Sequence, residues 1–260
     1  VSPFRTLDRT YAREGGPTTD RASNLHELLR SHVEIGPVPG AVALVARHDR
    51  VAVQAVGSPD AAGTVPMARD TIFRIASLTK PIVAAAVMLP AEDVGLDLVD
   101  APTGQWSSPP AFPSGAGGPV STVDDCHAFA RLLLGEGTAD GRQVSTLASV
   151  RRMTTDHLTA PQRSTAHLFL QGQGWGFGGS VDVAAVDPWN VPGRYGWVGG
   201  TGTAAHIVPS TGTATVLLTQ LELSGPTPPA LMRDFRRLAA GIRARTAQES
   251  PAAETRCAPT

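Results

Sequence analysis

Hydrophobic periodicity along these 260 residues predicts an α+β fold, an antiparallel sheet flanked by helices. Three observations carry that expectation. A helical stripe of leucines is followed by two closely spaced β-type runs. Next comes a segment that is apolar on every side. The C-terminal half then alternates in β fashion before a last helix. The hydrophobic content of 42% is ordinary for a globular chain with a real core, and the length allows one large domain or two small ones.

Leu25, Leu28, Leu29 and Val33 recur at the spacing of one helix face, so a helix is expected over about residues 24–33, ended by the Pro37 to Gly40 turn. Residues 41–46 and 51–56 are apolar runs around the polar turn 47–50, the pattern of a β-hairpin. Residues 82–89 are apolar all round, as in a helix buried at the centre of a domain. Pro81 suits the first turn of that helix, where its missing N–H has no partner to lose, and Pro90 should bend or stop it.

Residues 99–120 are rich in Pro, Gly and Ser, with Trp106 and Phe112 as their anchors, which is long for a structureless connection and reads as a joint. Ser121 and Thr122 then offer an N-cap followed by Asp124 and Asp125, with Phe129, Leu132, Leu133 and Leu134 expected as the buried face of the helix. A second helix is expected over 146–153, strands over 174–183, 196–200, 203–208 and 213–220, and a final helix over 229–243. Residues 1–24 are expected to be a polar extension, 25–243 a single domain with its joint at about 89–108, and 244–260 a disordered tail.

Charge and composition remove several function classes. A net charge of -1 gives no electrostatic case for nucleic acid or an anionic membrane. The apolar run 81–91 is broken by proline and shorter than the ~20 residues of a membrane helix. The first residues lack the basic-then-apolar order of a secretory signal, so a cytoplasmic location is the expectation. Cys126 and Cys257 do not make a disulfide framework, and the scattered histidines and the Cys126–His127 pair lack the further ligands of a metal site. No cofactor or metal is expected.

The chemistry concentrates at Ser77 and Lys80. Of the 22 basic residues, Lys80 is the one lysine. Arginine is permanently charged, whereas a desolvated lysine amine can approach neutrality and accept a proton. Ser-x-x-Lys on a helix puts that amine on the face of the hydroxyl three residues earlier. A serine opening a buried helix also has its own N–H free to meet a developing oxyanion. A capping serine before a lysine on a solvated face would share the spacing, but the apolar residues that follow argue against it.

With those residues in place, the chain resembles the serine β-lactamase and penicillin-binding protein superfamily, and within it the class C β-lactamase-like serine hydrolases and esterases. The resemblance is carried by Val38-Pro39-Gly40-Ala41-Val42-Ala43-Leu44-Val45 and by Thr71-Ile72-Phe73-Arg74-Ile75-Ala76-Ser77-Leu78-Thr79-Lys80-Pro81. It continues through Pro110-Ala111-Phe112-Pro113-Ser114-Gly115-Ala116-Gly117-Gly118 and residues 121–125 to Gly196-Trp197-Val198-Gly199-Gly200-Thr201-Gly202-Thr203. It implies a β-lactamase/transpeptidase-like fold with Ser77 as nucleophile and Lys80 as its activating partner. It also implies that Trp197, Val198 and Gly199 line the substrate-binding edge, and that the N–H groups of Ser77 and Gly200 form the oxyanion hole. The family's Tyr-x-Asn-type motif has no counterpart, because the interval 89–108 holds no tyrosine, so the helical subdomain is expected to be largely absent.

Other candidates compete for the chemistry. Tyr195 is a possible substitute base, and Arg194 a possible replacement for the cation that relatives carry where Trp197 stands. A Ser-His-Asp arrangement would draw on His206 or His157, but Ser180 and Ser114 both lack the full G-x-S-x-G elbow. Residues 174–179 match G-x-G-x-x-G, yet strand rather than helix follows, so a glycine-rich hairpin is expected there. The functional expectation is a serine hydrolase acting through a Ser77 acyl-enzyme on small carboxylic esters or related small-molecule acyl substrates. The alternative is a non-catalytic or single-turnover acyl-binding remnant. Self-association through the uncovered helix is a further expectation.

Overall fold

The computed structural model describes residues 18–60, 62–88, 115–225 and 227–241. The leucine stripe forms α1 (Thr18–Ile35), which begins earlier than residue 24 and buries Leu25 and Leu29 completely. β1 (Gly40–Arg47) and β2 (Arg50–Gly57) make the expected hairpin with Arg47 opposite Arg50, and His48 turns the chain at φ 53.

Next in order are β3 (Phe73–Arg74), α2 (Thr79–Met88), β4 (Val120–Ser121), α3 (Val123–Leu134), β5 (Thr138–Ala139), β6 (Arg142–Gln143) and α4 (Leu147–Thr154). After them come α5 (Ala160–Thr165), α6 (His167–Leu170), β7 (Gly174–Trp175), β8 (Ser180–Val181), β9 (Tyr195–Gly199), β10 (Thr203–Val208), β11 (Thr213–Thr219) and α7 (Ala230–Ala239).

Seven strands form one sheet in the order β2-β1-β11-β10-β9-β8-β7, antiparallel throughout. Both faces are covered. Val42, Leu44, Ala46, Val216 and Leu218 join residues of α2, α3 and α4 on one side, while Ala41, Ala43 and Leu217 join α1 and α7 on the other. Burial on both sides explains why β1 is apolar at consecutive positions instead of alternating.

Three expectations change in detail. α3 is capped by Thr122, whose Oγ1 accepts from Asp125 N at 3.3 Å, but it buries Val123, Cys126, Ala130 and Leu133. Phe129, Leu132 and Leu134 are half-buried, because the helix lies rotated towards its smaller residues so that it can approach the sheet closely. α2 is not buried all round: Thr79 and Pro81 are buried, but Ala86 is exposed and Val87 is 78% exposed. Residues 174–183 form the expected glycine-rich hairpin, β7–β8, which divides the single strand expected over that range in two. The joint at 89–108 and the tail at 244–260 lie outside the described residues, as do most of the extension 1–24 and Cys257.

On the α1/α7 side, the loop between β8 and β9 covers a buried polar cluster. Asp182 accepts from Asn190 Nδ2 at 2.8 Å, from Val191 N at 3.2 Å and from Arg194 Nη1 at 3.3 Å. Arg236 of α7 reaches towards the same place, with its guanidinium 6.0 Å from the centre of the buried Trp189 ring. Burial and the charge of Arg194 push the Arg236 pKa down to about 9.

Candidate active site

Ser77 sits in a single turn of 3-10 helix, Ala76–Leu78, that feeds directly into α2. The short β3–β4 pair sets this turn, with Ile75 N donating to Pro119 O at 3.2 Å. Ala76 lies at φ 45, a left-handed conformation that costs a non-glycine residue about 1–2 kcal/mol and bends the chain sharply just before the serine. Lys80, one helical turn on, brings Nζ to 2.5 Å from Ser77 Oγ, and the same amine donates to Ala116 O at 3.0 Å. Desolvation holds the Lys80 pKa below its ordinary value.

The end of β9 closes on this turn from the other side. A Cβ on Gly199 would stand 2.4 Å from Ile75 O and 3.3 Å from Ala76 Cβ, so only a glycine lets the strand pack there. Thr203 Oγ1 donates to Ile75 O at 3.0 Å and Thr201 Oγ1 to Arg74 O at 2.6 Å. Two hydroxyls from the β9–β10 turn therefore fix the two carbonyls preceding Ala76. Space beside Gly200 is open, with no heavy atom within 4 Å of where its Cβ would be. Trp197 and Gly199 are two residues apart on one strand, so they share a face, and Val198 turns to the opposite core.

The β7–β8 turn makes a third approach. At Gly178, with φ 81, a Cβ would fall 2.5 Å from Lys80 O, and at Gly176 a Cβ would fall 2.2 Å from Met153 O. The G-x-G-x-x-G spacing thus serves close packing of a hairpin against the serine turn and α4. Edge-on at 4.6 Å, Trp175 of that hairpin meets Trp197, and Phe169 of α6 tilts against Trp197 at 5.0 Å.

Several candidates fall away on geometry. Tyr195 shares the Trp197 side of β9 but is 1% exposed, its hydroxyl donates to Phe177 O at 2.7 Å, and burial raises its pKa, so it is not placed to act as the substitute base. Arg194 is buried against Asp182 and cannot replace a strand cation. His206 lies in the same cluster, where burial, Arg194 and Arg236 hold its pKa well below the usual value. His157 bonds Arg152 O at 2.6 Å and stacks on Phe177, so neither histidine serves Ser77. Ser180 donates to Gly196 O at 3.0 Å. Burial pushes the Cys126 thiol up to about 11, and among the described residues no His, Cys, Asp and Glu group could hold a metal ion.

The Ala116 carbonyl and the Thr201 and Thr203 hydroxyls are not apparent from residue types alone. The signal that could have found them is proximity in sequence: Ala116 belongs to the Gly-rich block before β4, and the two threonines directly follow the Trp197-Val198-Gly199 strand.

The beta-lactamase family model matches residues 25–107 and 97–240, a span that includes the strands of the sheet and the Ser77 turn. The chain belongs to that family. The two matched segments overlap at residues 97–107, inside the interval that lacks the tyrosine motif. Protein Rv1367c of Mycobacterium tuberculosis is 42% identical over 111 residues, 40% of this chain and 28% of that protein. Esterase EstB of Burkholderia gladioli is 35% identical over 153 residues, 55% of this chain and 38% of EstB. The chain therefore spans well under half the length of these relatives.

Solved structures agree on the fold. EstCE1, described as a hydrolase with promiscuous acyltransferase activity, superposes with a TM-score of 0.64 at 16% identity over 86% of this chain and 98% of its own. A penicillin-binding protein homologue from Caulobacter crescentus gives 0.62 at 14% identity over 85% and 97%. Among the described residues, no helix is long and apolar enough to cross a membrane.

Proposed function

We propose that this chain hydrolyses small carboxylic esters through an acyl-enzyme on Ser77. The 2.5 Å approach of Lys80 Nζ to Ser77 Oγ, at a turn held from three sides, carries the reading. Ser77 Oγ attacks the ester carbonyl carbon as its proton passes to the neutral Lys80 amine. The oxyanion accepts from the N–H groups of Ser77 and Gly200. When the C–O bond breaks, the alcohol leaves with the proton from Lys80. Water then adds to the acyl carbon with Lys80 again as base, the Ser77 Oγ–C bond breaks, the acid leaves and Lys80 returns the proton to Oγ, which divides one hard step into two easier ones. Ala116 O also accepts from the Lys80 amine, which holds it in place beside Ser77.

Uncharged esters fit better than β-lactams or D-alanyl peptides, whose carboxylate would seek a cation. The strand offers Trp197, and Arg194, just before it in sequence, is committed to Asp182. A charge-assisted hydrogen bond is worth about 1.5–3 kcal/mol, so its loss is a large handicap for anionic substrates. The relative named as an esterase supports the same choice.

A single-turnover remnant is the second reading. It is favoured by the commitment of Tyr195 to Phe177 O, which leaves Lys80 to move every proton. Intact mass after exposure to a fluorophosphonate, followed by ester hydrolysis, separates the two. A Ser77 adduct absent in Ser77→Ala together with steady turnover is expected; an adduct without product establishes the remnant, and no adduct on Ser77 removes both.

A further inference from the structure

We propose that Trp197, Trp175 and Phe169 form an aromatic shelf beside Ser77 that selects substrates carrying a flat aromatic group. This rests on the Ser77 acylation just described and deepens it.

Three rings from three separate elements converge. Trp175 and Trp197 meet edge to face at an interplanar angle of 85°, and Phe169 tilts against Trp197 at 48°. Backbone packing links two of the rings to the nucleophile, one along β9 and one through the β7–β8 turn. Two residues beyond Trp197, Gly199 rests on the Ile75–Ala76 backbone, and three beyond Trp175, Gly178 rests on the Lys80 carbonyl. The end of β9 therefore packs on the turn that presents Ser77, and the β7–β8 turn that follows Trp175 packs on the first turn of α2, which carries Lys80.

Phe169 is the outer ring, 61% exposed, with Leu168 beside it 79% exposed. An aromatic ring in water is costly unless it is covered, and here it extends a cluster instead of standing alone.

The segment carrying it is fastened. Arg163 Nη1 donates to Asp156 Oδ2 and to Leu158 O at 2.7 Å, and Trp175 N donates to Asp156 Oδ1 at 2.9 Å. That carboxylate ties α5, just before α6, to β7. The rings are held before substrate arrives, so little ordering cost opposes stacking. An aromatic substrate group would complete the set with offset or edge-on contacts, each worth roughly 2- to 10-fold in rate or affinity beyond area burial.

The test uses two pairs of ethyl phosphonofluoridate-type probes, benzyl against butyl on phosphorus, and benzyloxy against butoxy on methylphosphonofluoridate. In each, Ser77 Oγ bonds to phosphorus, its proton goes to Lys80, and fluoride leaves; dividing each rate by that probe's own hydroxide hydrolysis rate removes differences in intrinsic reactivity within a pair. Second-order rates of Ser77 adduct formation are read by intact mass for the wild type, Phe169→Ala and Trp197→Leu.

A benzyl preference of about 10-fold in at least one pair is expected, falling roughly 3-fold or more in Phe169→Ala. Phe169 is exposed enough that its loss should leave the fold intact, which circular dichroism would verify. Adducts forming on Ser77 with no aromatic preference in either pair, or with a preference that both variants retain, overturn the shelf while acylation stands. Absence of any Ser77 adduct overturns the acylation reading and the shelf with it.

Discussion

Lys80 has to be neutral to accept the serine proton, and its environment leans that way: desolvation favours the uncharged amine. The sign follows directly. A lysine with a lowered pKa loses its proton at a lower pH than a free one, so Ser77 acylation should rise with pH and reach half its maximum below the usual lysine range. A profile that rises only in the range of free lysine would sink the assignment. Lys80→Arg keeps the charge but not the basicity, so it should suppress adduct formation as fully as Lys80→Ala, with general-base loss typically ~10²–10⁴-fold. At this scale the sequence is most informative about the pair itself, since an i, i+3 spacing at a helix start leaves the two side chains little choice but to meet. It is least informative about Ala116, whose contribution is a carbonyl that any residue could supply, and about Tyr195. There the strand face is readable, but the depth that sends the hydroxyl to Phe177 O is not.

The β9–β10 turn acts as a single element on the nucleophile. Gly199→Ala places a Cβ against Ile75 O and Thr203 Oγ1, and either the strand or the serine turn must yield. Overpacking typically costs 1–3 kcal/mol, and losing an oxyanion donor costs ~10²–10³-fold in rate. The variant should therefore acylate at least ~100-fold more slowly while its melting point falls only modestly. Equal rates in the two proteins would show that Gly200 is not at the oxyanion. Most elements follow from periodicity, including the β1–β2 hairpin and the capped α3. The two-residue strands β3, β4, β5 and β6 do not, because pairs that short carry no period and are defined by their partners. Nor is the rotation of α3 onto Cys126 and Ala130 visible in sequence, since it depends on how closely the sheet lets a helix approach.

For the molecule as a whole, His206 couples stability to pH. It is buried with Arg194 and Arg236, and its folded-state pKa lies well below the unfolded value. Stability from its neutral form is thus fully present above about pH 6.5 and is lost as pH falls below it. The melting point should drop from about pH 7 to about pH 5, by roughly 2–4 °C per kcal/mol lost, and the slope should flatten in His206→Gln. An unchanged slope in that variant would place the coupling elsewhere. The open side of α2 predicts a second global property. With Val87 78% exposed next to Ala86, light scattering across a dilution series should show concentration-dependent association that Val87→Lys reduces. A monomer at every concentration would refute it.

The sheet's connectivity also sets a timetable. Ala41 pairs with Thr219 and Arg47 with Thr213, so one of the first strands to be synthesised waits for the last. Gly178, Gly199, Thr201 and Thr203, which grip the serine turn, likewise emerge long after Ser77. A ribosome-bound chain therefore carries its serine and lysine for more than a hundred further residues without the frame that holds them together. Until β11 arrives, β1 presents one bare apolar edge, the kind of surface that invites wrong partners and calls on chaperones.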